Sequence, residues 1–273
     1  MRLLVCGDVV GRSGREVVLQ HLPNLRESLS IDVMVVNVDN AAHGFGLTEE
    51  IARQFLENGA QVLTGGNHLF DQKEIIGFLE KEKRVLRPAN MPTKVPGRGT
   101  LEILVPGNRK VLVVHLLGQV NMPLIGDNPF YYMDELLSRY QMGNNVQAII
   151  VDFHAEVTSE KNALGHYLDG RVSAVVGTHT HIPTADERIL EHGTAFQTDI
   201  GMCGCYDSVI GMQKTIMEKF VRGFSHQRMS PVMGKATLSG IVVDIDESTG
   251  LAKNVSALRT GWSFPKTQLV NSF

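Results

Sequence analysis

Two histidines one residue apart close a short apolar run, Val175-Val176-Gly177-Thr178-His179-Thr180-His181. In extended backbone, residues i and i+2 point the same way, so just past a strand end His179 and His181 would face one pocket. Neutral imidazole is the commonest protein metal ligand. The pair alone also suits structural histidines, so the reading depends on what closes the other apolar runs. Asp8 closes the first, Asp39 and Asn40 the second, Asn67 and His68 the third, and His154 a later one. Buried carboxylates and amides are costly unless paired or coordinated, so this many polar strand ends are hard to place in a metal-free core. A mixed set of imidazole, carboxylate and amide suits Mn, Fe, Zn or Co better than Mg or Ca. The number of candidates suggests two ions, which a shared carboxylate would hold about 3.5–4 Å apart. Such a pair polarises a phosphoryl oxygen, supplies a hydroxide near neutral pH and stabilises a leaving oxygen. Phosphoester hydrolysis is its natural use.

These residues need a scaffold that brings strand ends to one edge. Residues 3–6, 33–38 and 61–64 read as β-strands. Each is followed by a polar turn and then a helix: 14–28 (with Pro23 as a kink or break), 49–57 behind a Thr48 N-cap, and 72–81. This is the rhythm of an α/β fold, in which ligands bind outside the carboxyl ends of the strands. Residues 84–99, rich in proline and glycine, read as a long loop. Strands at 101–105 and 110–116 join through Pro106-Gly107-Asn108. A helix follows at 127–140 with Pro129 in its first turn. Strand 148–153, helix 159–168 and strand 173–176 lead into the His-x-His stretch. Beyond it lie strand 195–198, a glycine-rich segment 201–211, a helix at 213–222 and an alternating strand 236–245, read as antiparallel and half-buried. With no internal repeat or linker, residues 1–273 read as a single domain of α/β class.

The 273 residues are 43% hydrophobic, enough for a substantial core, and carry a net charge of −3. No basic stripe asks for a long nucleic acid. No apolar stretch is long enough to span a membrane, and Asp8 interrupts the N-terminal run, so the expected location is cytoplasmic. Three cysteines argue against a disulfide scaffold. Cys203-Gly204-Cys205 fits a tight loop better than a metal or redox pair.

Each candidate has a bland alternative. Asp8 could cap the following helix. Asn40 and Asn67 could be left-handed turn residues. His68 could cap a helix, and His154 could be a hydrogen-bonded core histidine. His43, His115, His166, His192 and His226 receive no catalytic role, although His43, beside Asp39 and Asn40 in a glycine-flanked loop, is a candidate for lining the substrate pocket. Thr178 and Thr180 are expected to orient the loop or the ligands.

Gly7-Asp8, Asp39-Asn40, Gly66-Asn67-His68, His154 and Gly177-Thr178-His179-Thr180-His181 together resemble the calcineurin-like metallophosphoesterase superfamily. Gly7-Asp8-Val9-Val10-Gly11, Asn40-Ala41-Ala42-His43-Gly44, Arg87-Pro88-Ala89-Asn90, Asp152-Phe153-His154 and Thr184-Ala185-Asp186 resemble its YmdB-like bacterial phosphodiesterase branch, over nearly the whole chain. The resemblance implies a two-sheet mixed β-sandwich flanked by helices. It implies that Asp8 and His181 hold one ion, that Asp39 bridges, and that Asn67, His154 and His179 hold the second. It implies that Asn40 supplies the ligand that most of the superfamily takes from a histidine where this chain has Val10. His68 would be the proton donor to the leaving oxygen. The branch usually carries glutamate at the position of Asp39, which is one methylene shorter, whereas the wider superfamily bridges with aspartate.

The implied metals are Fe or Mn, with Zn or Co as alternatives. The implied substrate is a small cyclic nucleotide, 2′,3′-cyclic above all, opened by a metal-bridging hydroxide attacking phosphorus in line. The implied assembly is a homo-oligomer. Two other readings stay open: a phosphomonoesterase or 5′-nucleotidase using the same site, and a regulatory nucleotide-binding protein with little turnover.

Overall fold

In a computed structural model of the chain, residues 1–124, 126–224 and 228–262 are described; His226 lies outside them. The chain begins with β1 (Arg2–Cys6), β2 (Asp8–Val9), α1 (Gly11–Ser28), β3 (Val33–Asn37), α2 (Glu49–Glu57), β4 (Val62–Thr64), α3 (Ile75–Leu79) and β5 (Val85–Leu86). It continues with β6 (Thr100–Val105), β7 (Arg109–Leu117), α4 (Pro129–Leu137), β8 (Ala148–His154), α5 (Thr158–Tyr167) and β9 (Ala174–Thr178). The remaining elements are β10 (Arg188–Ile189), β11 (Ala195–Gln197), β12 (Met202–Cys203), α6 (Met217–Arg222), β13 (Thr237–Ile245) and β14 (Ala252–Gly261).

Two six-stranded sheets form, in the orders β14-β13-β1-β3-β4-β5 and β10-β11-β9-β8-β7-β6, and β12 pairs with β2 in a small ladder. In the first sheet β1, β3, β4 and β5 run parallel, with β13 antiparallel to β1 and β14 antiparallel to β13 at one side. In the second, β7, β8, β9 and β11 run parallel between antiparallel β6 and β10. This is the expected α/β two-sheet sandwich with helices on its outer faces.

Side-chain alternation sorts the strands into layers. Leu3 and Val5 of β1 join Val113, Ile150 and Val176 between the sheets. Leu4 and Cys6 pack outward with Val18, Leu22 and Phe55 of α1 and α2. On the far side, Met133 and Leu164 of α4 and α5 cover Ile149, Val151 and Phe153. Both faces of the central strands are covered, which is why they read as continuous apolar runs.

Several local expectations hold. The Thr48 hydroxyl accepts from Ile51 N at 3.2 Å, with Glu49 and Glu50 in the first turn of α2. Asn128 accepts from Phe130 N at 2.9 Å and caps α4 ahead of Pro129. Others are corrected. Helix α1 continues through Pro23 rather than breaking there. The helix expected over 72–81 is only Ile75–Leu79, because residues 71–74 form bends and turns. The strand read as half-buried, β13, is buried at every position except Asp244. Its Leu238 and Val242 pack on the helical side and its Ile241 and Val243 between the sheets. Among the described residues, no helix is long and apolar enough to cross a membrane.

Candidate functional site

Asp8 and Val9 lie on β2, and the N-cap of α1 is Val10 with no side-chain bond, so Asp8 does not cap the helix. Asn40 and Asn67 are not among the positive-φ residues, so neither is a left-handed turn residue. The carboxyl ends of β1, β3 and β4 deliver Asp8, Asp39, Asn40, Asn67 and His68. Those of β8 and β9 deliver His154, His179 and His181 from the other sheet.

The two histidines after β9 reach the cleft by a different route from simple strand alternation. His179 has φ +93° and His181 φ +67°, so both occupy backbone that L-residues rarely adopt. The turn is held from beneath. Asp199 accepts from Thr180 N at 3.2 Å, from the Thr180 hydroxyl at 2.6 Å and from the Lys161 ammonium at 2.8 Å. Gly177 is required just before the turn, since a Cβ there would lie 1.8 Å from Thr198 O. Gly66 has a parallel role, because a Cβ would lie 2.3 Å from the His154 ring.

Hydrogen bonds at the rear of each ring set which nitrogen carries the proton. His181 Nδ1 lies 2.8 Å from Ile210 O, which can only accept. The His181 Nε2 lone pair therefore faces Asn40 Oδ1 at 3.2 Å, and that amide is oriented by its own donation to Gly44 O. Thr178 donates to Asp152 at 2.8 Å and so accepts from His154 Nδ1 at 3.1 Å. His154 Nε2 is left facing Asn67 Oδ1 at 2.9 Å, Asp39 Oδ2 at 3.3 Å and His179 Nδ1 at 3.1 Å. His179 Nε2 lies 3.1 Å from Glu156, which draws its proton outward. Asp8 Oδ2 accepts from His179 N at 3.1 Å, while its buried Oδ1 has no hydrogen-bond partner. Both Asp39 oxygens accept from His68 N, at 3.0 and 3.2 Å. The result is a set of lone pairs turned inward with the protons turned outward. Among the described residues, no three His, Cys, Asp or Glu side chains are grouped to hold a metal by themselves. The convergence here includes two asparagine oxygens.

The electrostatics follow from burial. Burial and the carboxylates of Asp199, Asp152 and Asp39 push the Asp8 carboxyl well above its usual range. Burial also pushes Asp39 up, but His154, with His68 and His115, outweighs it and holds the group low. Burial and then His154 bring His179 down to about 2, and burial lowers His181, so both are neutral, the ligand form of imidazole.

His68 stands at the rim with its side chain 29% exposed and Nδ1 2.8 Å from Asp71. It lines a cleft of ≈ 310 Å³ together with Asn40, Glu156, His179 and His181. Phe45, Ile210, Met212 and Met229 form the cleft's apolar wall. Sequence reasoning missed Asp71, Glu156, Lys161 and Asp199. The spacing of Asp71 three residues after His68 was the only local signal. Thr178 and Thr180 do orient the turn and a ring, as expected. The three cysteines are free and buried.

Residues 4–258 match the family described as YmdB-like protein. A Bacillus subtilis (strain 168) protein named 2′,3′-cyclic-nucleotide 2′-phosphodiesterase is 44% identical over 259 residues, 94% of this chain and 96% of its own. A crystal structure of a hypothetical protein from Thermus thermophilus superposes with TM-score 0.88 at 38% identity, covering 96% of this chain and 99% of that one. Another, described as a novel phosphatase from Mycoplasma pneumoniae, gives TM-score 0.88 at 33% identity, covering 96% and 93%. The chain has the calcineurin-like metallophosphoesterase fold and belongs to the YmdB-like family.

Proposed function

We propose that this chain is a metal-dependent phosphodiesterase that opens 2′,3′-cyclic nucleotides to nucleoside monophosphates. The observation that carries the reading is the inward set of lone pairs around Asp8 Oδ1, which is buried, accepts no hydrogen bond and has the His154 Nδ1 no nearer than 3.6 Å. Cations satisfy such a set, and a hydrogen-bonded core does not need it. Asp8, Asn40 and His181 would hold one ion, Asn67, His154 and His179 the other, and Asp39 would serve both. Fe or Mn suits these donors best, with Zn or Co next. When bound, the ions supply Lewis-acid charge for the phosphoryl oxygens and a nucleophile at neutral pH. The relative named as a 2′,3′-cyclic-nucleotide 2′-phosphodiesterase supports the substrate class.

The protein's own part is positioning and proton transfer. Asp71 accepts from His68 Nδ1 and fixes the ring; as imidazolium, the form that proton donation requires, His68 also carries a proton on Nε2 facing the cleft. There it protonates the departing ribose oxygen. The apolar wall of Phe45, Ile210, Met212 and Met229 limits water around the phosphate. Glu156 and Thr178 hold His179 and His154 in the tautomers that present lone pairs.

The test is hydrolysis of 2′,3′-cyclic AMP, of its monoester product and of bis-p-nitrophenyl phosphate with added Mn²⁺, with Asp8→Ala as control. Turnover of the diesters that the control lacks is expected. Turnover of the monoester alone would replace this reading with a phosphomonoesterase. Tight nucleotide binding without turnover would replace it with a regulatory binding protein. Asp39→Asn should lose most bound metal; full metal content by elemental analysis would remove Asp39 from the bridge.

A further inference from the structure

A second, larger cavity of ≈ 770 Å³ lies beside the cleft, and the two share Phe45 and Met229 as walls. Its lining is polar where the cleft's wall is apolar: His43, Asp71, Gln72, Arg228 and Ser230. The cleft itself, at ≈ 310 Å³, is at the lower end of ligand-pocket sizes. It suits a cyclic phosphate and ribose better than a whole nucleotide.

The geometry of proton donation says where the rest of the substrate goes. A donor to the leaving oxygen must face that oxygen, so the ribose, which stays joined to phosphorus through its other oxygen after the ring opens, lies on the side of His68. Asp71, bonded to His68 Nδ1, is itself a wall of the larger cavity. Phe45 sits edge-on to His68 with ring centroids 5.0 Å apart, at the boundary between the two spaces. Gln72, which also lines the cavity, donates to the Phe45 carbonyl oxygen at 2.9 Å and holds the backbone that carries this aromatic. His43 lines the cavity with φ +54°, a left-handed backbone that the loop enforces. An aromatic platform beside an imidazole and a guanidinium is the chemistry that receives a base and a phosphodiester of a single-stranded end.

Resting on the function proposed above, we propose that the second cavity is a subsite for the nucleotide upstream of the reacting one. The substrate class is then a short oligonucleotide ending in a 2′,3′-cyclic phosphate. Phe45 takes the terminal base, and Arg228 with His43 takes the phosphodiester that joins it to its neighbour. The Asp71 carboxylate is paired with the His68 ring at 2.8 Å, and with the ring as imidazolium that pair is neutral toward the phosphate. The absence of a basic stripe limits the contact to one or two nucleotides.

The experiment is calorimetric titration of the metal-loaded enzyme with adenosine 3′-monophosphate and with the dinucleotide ApA carrying a 3′-phosphate. The dinucleotide should bind at least about tenfold more tightly, the worth of one charge-assisted phosphate contact. Arg228→Gln should shrink that ratio about tenfold, and Arg228→Lys should keep part of it, because the charge survives and the fork geometry does not. His43→Asn, which tolerates the left-handed backbone, should also lower the ratio. Equal affinity for the two ligands, or a ratio unmoved in both Arg228→Gln and His43→Asn, overturns the subsite. Binding is read rather than turnover, so the two proposals fail separately. Dinucleotide preference without hydrolysis of any cyclic ester sinks the reaction and leaves the subsite. Hydrolysis of 2′,3′-cyclic AMP with equal affinities does the reverse.

Discussion

Replacing His68 by alanine should separate chemistry from metal binding. The ring touches Asp71 and the cleft, whereas only the backbone N of His68 bonds to Asp39. His68→Ala should therefore cut turnover about 10²–10⁴-fold with metal content intact; parallel loss of metal by elemental analysis would make His68 structural. Thr178→Val tests the opposite case. It removes the hydroxyl between Asp152 and His154 Nδ1, so metal affinity should fall about 10–100-fold while His68 is untouched; competition with a chromophoric chelator measures it. At this scale the sequence exposed most of the candidate site, because polar residues ending apolar runs stand out. It hid Glu156, two residues past His154, and Asp199, which directly follows the strand read at 195–198, because both act by holding other side chains and that pairing comes only from the fold. It also misled on His179 and His181, whose common direction comes from positive φ rather than from strand alternation.

The turn after β9 depends on a buried ion pair reaching it from α5. Lys161 and Asp199 are each 1% exposed, and Asp199 also binds Thr180 and Gly201 N. Lys161→Met leaves that carboxylate without its cation, and removing one partner of a buried pair costs about 3–5 kcal/mol. Thermal unfolding should show the loss, with Thr48→Ala at the start of α2 as a milder comparison at about 1 kcal/mol. Elements with strong apolar periodicity or a capping residue were legible, α2 and α4 above all. Edge strand β14 was not, because Lys253, Asn254, Ser256 and Arg259 dilute its apolar pattern. Strand β5 was hidden in a proline- and glycine-rich stretch, being only two residues long.

The sheets are joined at the edge remote from the cleft by Arg109, which pairs with Asp32 at 2.5 Å and Glu247 at 2.7 Å. Burial pushes Asp32 up, but Arg2 N and Arg109 hold it below its usual range, and Arg109 does the same for Glu247. A depressed carboxylate stabilises above its unfolded pKa, near 4, and the benefit is lost as pH falls through the folded value. The Tm gap between wild type and Arg109→Met should thus be open at pH 7 and close below about pH 4; a gap independent of pH would assign Arg109 to packing. Which strands face each other across the sandwich was not legible, since both sheets read as similar apolar runs. The donor set is drawn from both: Asp8, Asp39, Asn40 and Asn67 from one sheet, His154, His179 and His181 from the other. Loaded ions would therefore act as a rivet between two halves of the molecule. At a free concentration a hundredfold above its Kd, each ion would add about 2.7 kcal/mol to the resistance to unfolding. Chelation would then be visible in a calorimeter before any substrate is added, and slippage between the sheets, however far from the cleft it starts, would be felt first as weakened metal retention.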